Sequence, residues 1–283
     1  MPELASVNGN IFPIEQAMVP VEDRGYQFGD AVYEVMASYN GQLFFLEAHL
    51  DRLAHSMQAL SFPDLPKDKI KAAATGFFKS AGLDRALLYI QISRGVGPRT
   101  HAFTDTSALQ FIMTVRHVKE VPEKLRRQGA SAITLQDFRW GRCDIKTVQL
   151  LPNVLAKQKA MEAGVYDAIF VSKKNVIRET TGASLFMVTG GKVVTHPLTF
   201  HVLPGITRAK ILTICRKLNI VTEETFFTAR QLYAATEVFL TGTTIEVLPV
   251  VRINNRPIGN GETGPVAQRL HGALREHIFQ QAK

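Results

Sequence analysis

Arg142-Cys143-Asp144-Ile145-Lys146-Thr147, running into Leu150-Leu151-Pro152-Asn153, is the stretch on which the reading of this chain turns. A single lysine stands between apolar neighbours, shortly after Phe138, Trp140 and Cys143. Partial desolvation of an ammonium group favours the neutral amine, which is the nucleophile that Schiff-base chemistry needs. Taken alone, the run also fits a surface lysine on a half-buried strand.

Working outward, four further motifs follow in order. They are Val19-Pro20-Val21-Glu22-Asp23-Arg24-Gly25-Tyr26-Gln27-Phe28-Gly29-Asp30, His49-Leu50-Asp51-Arg52-Leu53, Ser93-Arg94-Gly95-Val96-Gly97-Pro98-Arg99-Thr100-His101 and Leu240-Thr241-Gly242-Thr243-Thr244. With the lysine run, this series resembles the fold-type IV (class IV) pyridoxal-phosphate (PLP) aminotransferases, and within them the D-amino acid transaminases. The resemblance covers nearly the whole chain. It implies an α/β protein of two domains with PLP between them: a smaller α+β domain over residues 1–118 and a larger α/β, PLP-binding domain over 124–283. Residues 119–123 are expected to link them, because charge and a proline interrupt the periodic segments there.

Composition agrees with an ordinary globular chain. The 283 residues can bury a large core, and 46% apolar with 20% charged residues is unremarkable. No apolar run approaches a membrane span, Met1-Pro2-Glu3-Leu4 lacks the features of a signal peptide, and Cys143 and Cys215 make no disulfide pattern. A cytoplasmic protein is expected, with no membrane partner and no metal site. The net charge of +8 raises nucleic-acid binding as a rival. The basic residues are dispersed, however: Lys67, Lys69 and Lys71 alternate with other residues, and Lys124, Arg126 and Arg127 have acidic neighbours. A solvated face that attracts anions is the better reading.

Local patterns give the elements. Asn8-Gly9 and Asn40-Gly41 signal hairpins. Arg24 to Asp30 reads as a loop, Ala31–Ser38 as a strand and Leu43–Leu46 as its return. Leu46, Leu50, Leu53, Met57 and Leu60 form one helical stripe, with Arg52 off it. A second helix is predicted over Lys69–Phe78. Strands are expected at Ala86–Ser93, Leu109–Val115, Ala130–Leu135, Ala168–Ser172, Leu185–Val188, Val193–Thr195 and Glu237–Leu240. Arg94–Thr106 reads as a loop. Asn153 is expected to cap a helix over Val154–Ala163. Gly205-Ile206-Thr207 opens a helix over Arg208–Leu218, Thr228 and Gln231 form a capping box, and a last helix begins near Val266.

The resemblance assigns chemistry to particular residues. Lys146 would hold PLP as an internal aldimine and then carry the proton between the substrate Cα and the cofactor. Glu179 would pair with the pyridine nitrogen. Arg52, Ile206, Thr207, Gly242 and Thr243 would hold the phosphate; Gly242 stands where serine is frequent and can offer only backbone. Arg99 and His101, with Tyr33, would trap the substrate carboxylate from the neighbouring subunit of a homodimer. Each also has a plain reading: solvated charge for Arg52, Glu179, Arg99 and His101, core tyrosine for Tyr33, ordinary helix start for Ile206 and Thr207. The run Glu179-Thr180-Thr181-Gly182-Ala183-Ser184 departs from the family pattern, with Thr180 where glycine is usual and Ser184 where asparagine is usual.

The expected activity is ping-pong transfer of the amino group of D-amino acids, such as D-alanine or D-glutamate, to 2-oxoglutarate or pyruvate. Alternatives are a family member for L-branched-chain amino acids or (R)-amines, a lyase of the aminodeoxychorismate lyase type, and a non-enzymatic basic binding protein.

Overall fold

The computed structural model describes residues 3–103 and 108–281. Thr104–Thr106, the end of the loop predicted over Arg94–Thr106, lie outside them. The chain divides into two compact units. Among the described residues, one comprises those up to Lys119 with Ile145–Gln149; the other comprises Glu120–Asp144 and Leu150–Gln280.

In the first unit, β1 (Leu4–Val7) and β2 (Asn10–Pro13) form a hairpin through Asn8 and Gly9, both at positive φ as a tight hairpin turn requires. The residues read as a loop after Asp23 instead form a short helix, α1 (Arg24–Phe28). Asp23 caps it by accepting from the Gly25 and Tyr26 N–H groups, a signal obscured by Gly25 within the helix and Gly29 just after it. Then come β3 (Ala31–Tyr39), β4 (Gln42–Leu43), α2 (Leu46–Ala59), α3 (Lys67–Ala81), β5 (Ala86–Ser93) and β6 (Gln110–His117). The sheet order is β2-β1-β6-β5-β3-β4, antiparallel throughout. Leu50 and Leu53 of α2 and Ile70 of α3 lie buried with Met36, Leu88, Ile90 and Ile92 of the strands.

Residues 145–149 pack with this unit rather than with the residues around them. That departs from the expected continuous 124–283 domain. The reason is backbone pairing at the outer edge of β3: the Tyr33 N–H donates to Lys146 O at 3.0 Å, the Val148 N–H donates to Ala31 O at 3.1 Å, and Val32 bridges Thr147.

The second unit is built on a nine-stranded mixed sheet. Its elements are α4 (Glu123–Gln128), β7 (Ala130–Gln136), α5 (Leu151–Glu162), β8 (Asp167–Val171), β9 (Ile177–Thr180), β10 (Ser184–Thr189), β11 (Lys192–Thr195), α6 (Ile206–Lys217), β12 (Thr222–Glu224), α7 (Ala229–Tyr233), β13 (Glu237–Gly242), β14 (Glu246–Ile253), β15 (Arg256–Pro257) and α8 (Pro265–Gln281). The order is β12-β11-β10-β13-β14-β7-β8-β9, with β15 beside β14. Its core gathers Ile169, Ile177, Leu185, Phe227, Leu240, Leu248 and Ile253. Asn153 does not cap α5: the helix starts two residues earlier with Pro152 in its first turn, and the Asn153 Nδ2 donates to Thr181 O at 2.9 Å.

Candidate active site

The lysine side is built on β3 and α2. Lys146 is half-buried, and its backbone N–H donates to Ser56 Oγ of α2 at 3.1 Å. Its Nζ lies 4.1 Å from the centre of the Tyr33 ring. An ammonium group over a ring face is held without a fixed hydrogen bond, so the amine keeps its freedom to move. Tyr33 stacks on Tyr89 at 5.5 Å, and the Tyr89 hydroxyl donates to Gln91 at 2.6 Å.

On the opposite face of β3, Glu34 is fully buried beneath α2. It accepts Arg52 Nε at 2.7 Å and Nη2 at 2.9 Å, and holds His49 Nδ1 at 2.7 Å. Arg52 is thus a nearly buried, bidentate-locked guanidinium rather than a solvated helix charge. Burial alone would push the Glu34 carboxyl up, but hydrogen bonds and charge from Arg52, and then His49, outweigh it and bring the pKa to about 2. His49 is lowered, chiefly by burial. Sequence reasoning gave no role to Glu34 or His49. Their signal was a carboxylate at the centre of an apolar strand and an imidazole three residues before Arg52.

The carboxylate-trap candidates lie on the loop after β5. Arg99 and His101 are both exposed, and both rest on Phe28 of α1: the Arg99 guanidinium lies 5.2 Å from the ring centre and His101 meets the ring edge-on at 5.8 Å. Loop and α1 are joined by Arg24, Asp30 and Arg94, none of which received a role from sequence.

In the second unit the remaining candidates converge. Glu179, near the end of β9, is buried and accepts from Arg139 Nη1 and from the Leu203 N–H at 3.1 Å. Burial pushes its carboxyl up; Arg139 and the Leu203 N–H oppose that. Arg139 is itself gripped by the solvent-shielded carboxylate of Asp137, which also accepts from Arg178. Leu203 leads to Gly205, the cap of α6, so Ile206 and Thr207 occupy its first turn, where backbone N–H groups lack intrahelical acceptors and the helix dipole is positive. Ser184 pairs with Thr241 across β10 and β13, and a Cβ on Gly205 would come 2.6 Å from Ser184 Oγ. Gly242 closes β13, 3.6 Å from Gly182 O by its would-be Cβ, and Thr243 begins the following turn.

The unusual segment is ordered by its own hydroxyls. Buried Thr180 Oγ1 accepts the Ala183 N–H and donates to Ala183 O, both at 3.1 Å. Thr181 Oγ1 donates to Asp167 at 2.6 Å. A threonine in place of glycine therefore closes the loop between β9 and β10. Among the described residues, no cluster of His, Cys, Asp and Glu could hold a metal ion, and no helix is long and apolar enough to cross a membrane.

In the first unit, a half-buried lysine on a tyrosine face suits an aldehyde; in the second, a buried carboxylate paired with arginine suits a pyridine nitrogen, and a helix start preceded by a closely packed glycine suits a phosphate. The residues fit PLP.

The chain belongs to the class IV aminotransferase family, whose model matches residues 31–253. Members of that family are PLP enzymes. The chain is 37% identical to the D-alanine aminotransferase of Bacillus licheniformis over 275 residues, covering 97% of this chain and 96% of that one. It is 36% identical to the D-alanine aminotransferase of Listeria monocytogenes serotype 4b over 278 residues, with 97% and 96% covered. Among solved structures it is similar to the branched-chain amino acid aminotransferase of Escherichia coli, at TM-score 0.90 and 25% identity, covering 98% of this chain and 94% of that one. The fold-type IV architecture and aminotransferase chemistry expected from the lysine run are thereby established.

Proposed function

We propose that this aminotransferase acts on D-amino acids, with D-alanine or D-glutamate as donor and 2-oxoglutarate or pyruvate as acceptor. The observation that carries the reading is Arg99 and His101 presented together on one rigidly backed loop. A planar guanidinium beside an imidazole can grip an α-carboxylate through paired hydrogen bonds. Relatives named D-alanine aminotransferases, matched over nearly the full chain, support it.

PLP, when bound, supplies the electron sink for breaking the substrate Cα–H bond. Lys146 Nζ would hold the cofactor through its aldehyde, and the same amine would be the group that moves the proton at the substrate Cα. Tyr33 keeps that amine beside an aromatic face. Glu179, fixed by Arg139 and the Leu203 N–H, would be the partner of the pyridine nitrogen. In the second unit the first turn of α6 and the Gly242–Thr243 backbone would hold phosphate, and in the first unit Arg52, set in its Glu34 fork, is the candidate phosphate ligand. Tyr33, Arg99 and His101 orient the carboxylate. The protein works as a homodimer: α5 exposes Leu151, Val154, Leu155 and Met161 along one side, the apolar stripe of a helix that a second subunit covers.

The likeness to a branched-chain enzyme at TM-score 0.90 supports a second reading, in which L-leucine is the donor. One spectrum separates the two. Purified holoenzyme is mixed with D-alanine, L-leucine or (R)-1-phenylethylamine without keto acid, and the visible cofactor band is followed. Loss of the band with D-alanine alone supports the proposal; loss mainly with L-leucine or the amine overturns the specificity.

A further inference from the structure

Arg24 is 3% exposed, yet it lies on a five-residue helix next to an exposed loop. All three of its guanidinium nitrogens donate. Nε donates to Asp30 Oδ2 at 2.9 Å, Nη1 to Thr100 O at 2.7 Å and Ala102 O at 3.3 Å, and Nη2 to His101 O at 3.4 Å. Three consecutive carbonyls are thus drawn to one side chain. Asp30 Oδ2 also accepts Arg94 Nε at 2.9 Å, and Arg94 fastens the node to the end of α2 through Leu60 O and Ser61 O. The Arg24 N–H donates to Gly95 O, and Asp23 accepts the Ser93 hydroxyl at 2.6 Å. Gly25 allows this approach, since a Cβ there would meet Ser93 Cβ at 2.9 Å.

Resting on the carboxylate-trap reading, we propose that Arg24 is the positioning residue of substrate recognition: it sets the loop conformation in which Arg99 and His101 face a carboxylate. Planar trans peptides turn each N–H away from its carbonyl, so fixing the carbonyls of residues 100–102 inward turns the N–H groups of His101, Ala102 and Phe103 outward. These donors are then turned away from Arg24, where an anion can meet them. Phe28 completes the support beneath Arg99 and His101. Pre-ordering of this kind acts on binding and leaves the proton transfer at Lys146 unchanged.

The test uses holoenzyme and the visible cofactor band. The dependence of its decay on D-alanine concentration gives an apparent dissociation constant and a limiting rate, and propionate, a carboxylate without an amine, is titrated as competitor. Hydroxylamine, an amine nucleophile without a carboxylate, serves as the control. Arg24→Lys is expected to raise the D-alanine and propionate constants about tenfold, the size of one lost charge-assisted contact. Phe28→Leu should raise them roughly threefold. Limiting rates should stay within about twofold, and hydroxylamine should react as with the parent. Should Arg24→Lys fail to fold, Phe28→Leu decides. Unchanged constants in these variants, alongside a raised constant in Arg99→Ala, overturn the role of Arg24 alone. Equal effects on D-alanine and hydroxylamine overturn it as general damage. An unchanged constant in Arg99→Ala overturns the trap reading, and the role of Arg24 with it.

Discussion

At the scale of single residues, Lys146 and Gly205 make different demands. Lys146 supplies the amine, and Tyr33 presents its ring face to it at 4.1 Å. Lys146→Ala should lower kcat by about 10⁴-fold, the upper end for losing a positioned acid–base group, with the fold intact by circular dichroism. Multiple turnovers near the parent rate would refute the assignment. Gly205 is needed for space. A methyl group there would meet Ser184 Oγ at 2.6 Å and Arg208 Cβ at 3.2 Å, at the entry to α6. Gly205→Ala should weaken PLP binding about tenfold by equilibrium dialysis, and adding Ser184→Ala should restore most of it, because the two changes share one contact. Equal weakening in single and double variants would remove Ser184 from the account.

At the scale of elements, β3 and α2 are locked through a buried acid. Glu34 ionises at about 2 in the folded chain and near 4.5 when unfolded. Its contribution is present above pH 4.5 and is lost as pH falls toward 2. The lowered His49 acts in the same direction: the unfolded chain takes up a proton near pH 6.5 that the buried imidazole resists, so stability begins to fall below that pH. The melting temperature should therefore decline below pH 6.5 and more steeply below 4.5. Glu34→Gln should melt lower at about pH 7 by several degrees, since the buried Arg52 guanidinium loses the charge of the Glu34 carboxylate, and should lose the steeper acid limb. A variant with the parent's acid limb would exclude Glu34 as its source. These elements also show what a sequence can reveal. The α2 stripe and the Thr228–Gln231 capping box were legible because both are local, spanning a turn of helix at a time. The Lys146 strap was legible as a motif, but its place beside β3 was not, because the pairing joins residues far apart in the chain. Four-residue β9 and the Asp137–Arg139–Glu179 node escaped for related reasons: a short strand has little periodicity, and an arginine beside an aspartate is ordinary until the fold buries both.

At the scale of the whole molecule, α5 exposes Leu151, Val154, Leu155 and Met161 along one side, and a contiguous exposed apolar stripe is the kind of surface a second subunit covers. Light scattering should give twice the mass of the chain at micromolar concentration. Val154→Glu with Leu155→Glu, placed on the exposed side of α5, should shift that mass toward the single chain. A dimer unaffected by both charges would place the interface elsewhere.

The strap at residues 145–149 makes the first unit discontinuous in sequence. A ribosome that has released only residues 1–119 has made every described helix of that unit, yet its sheet still ends in bare backbone at residues 31–33. Unpaired strand edges invite self-association, and here the missing cover is also the stretch that carries the reactive amine. The growing chain thus finishes this sheet and acquires its nucleophile in one event. A fragment stopped at Lys119 should aggregate, and a synthetic peptide spanning residues 143–150 should keep it in solution.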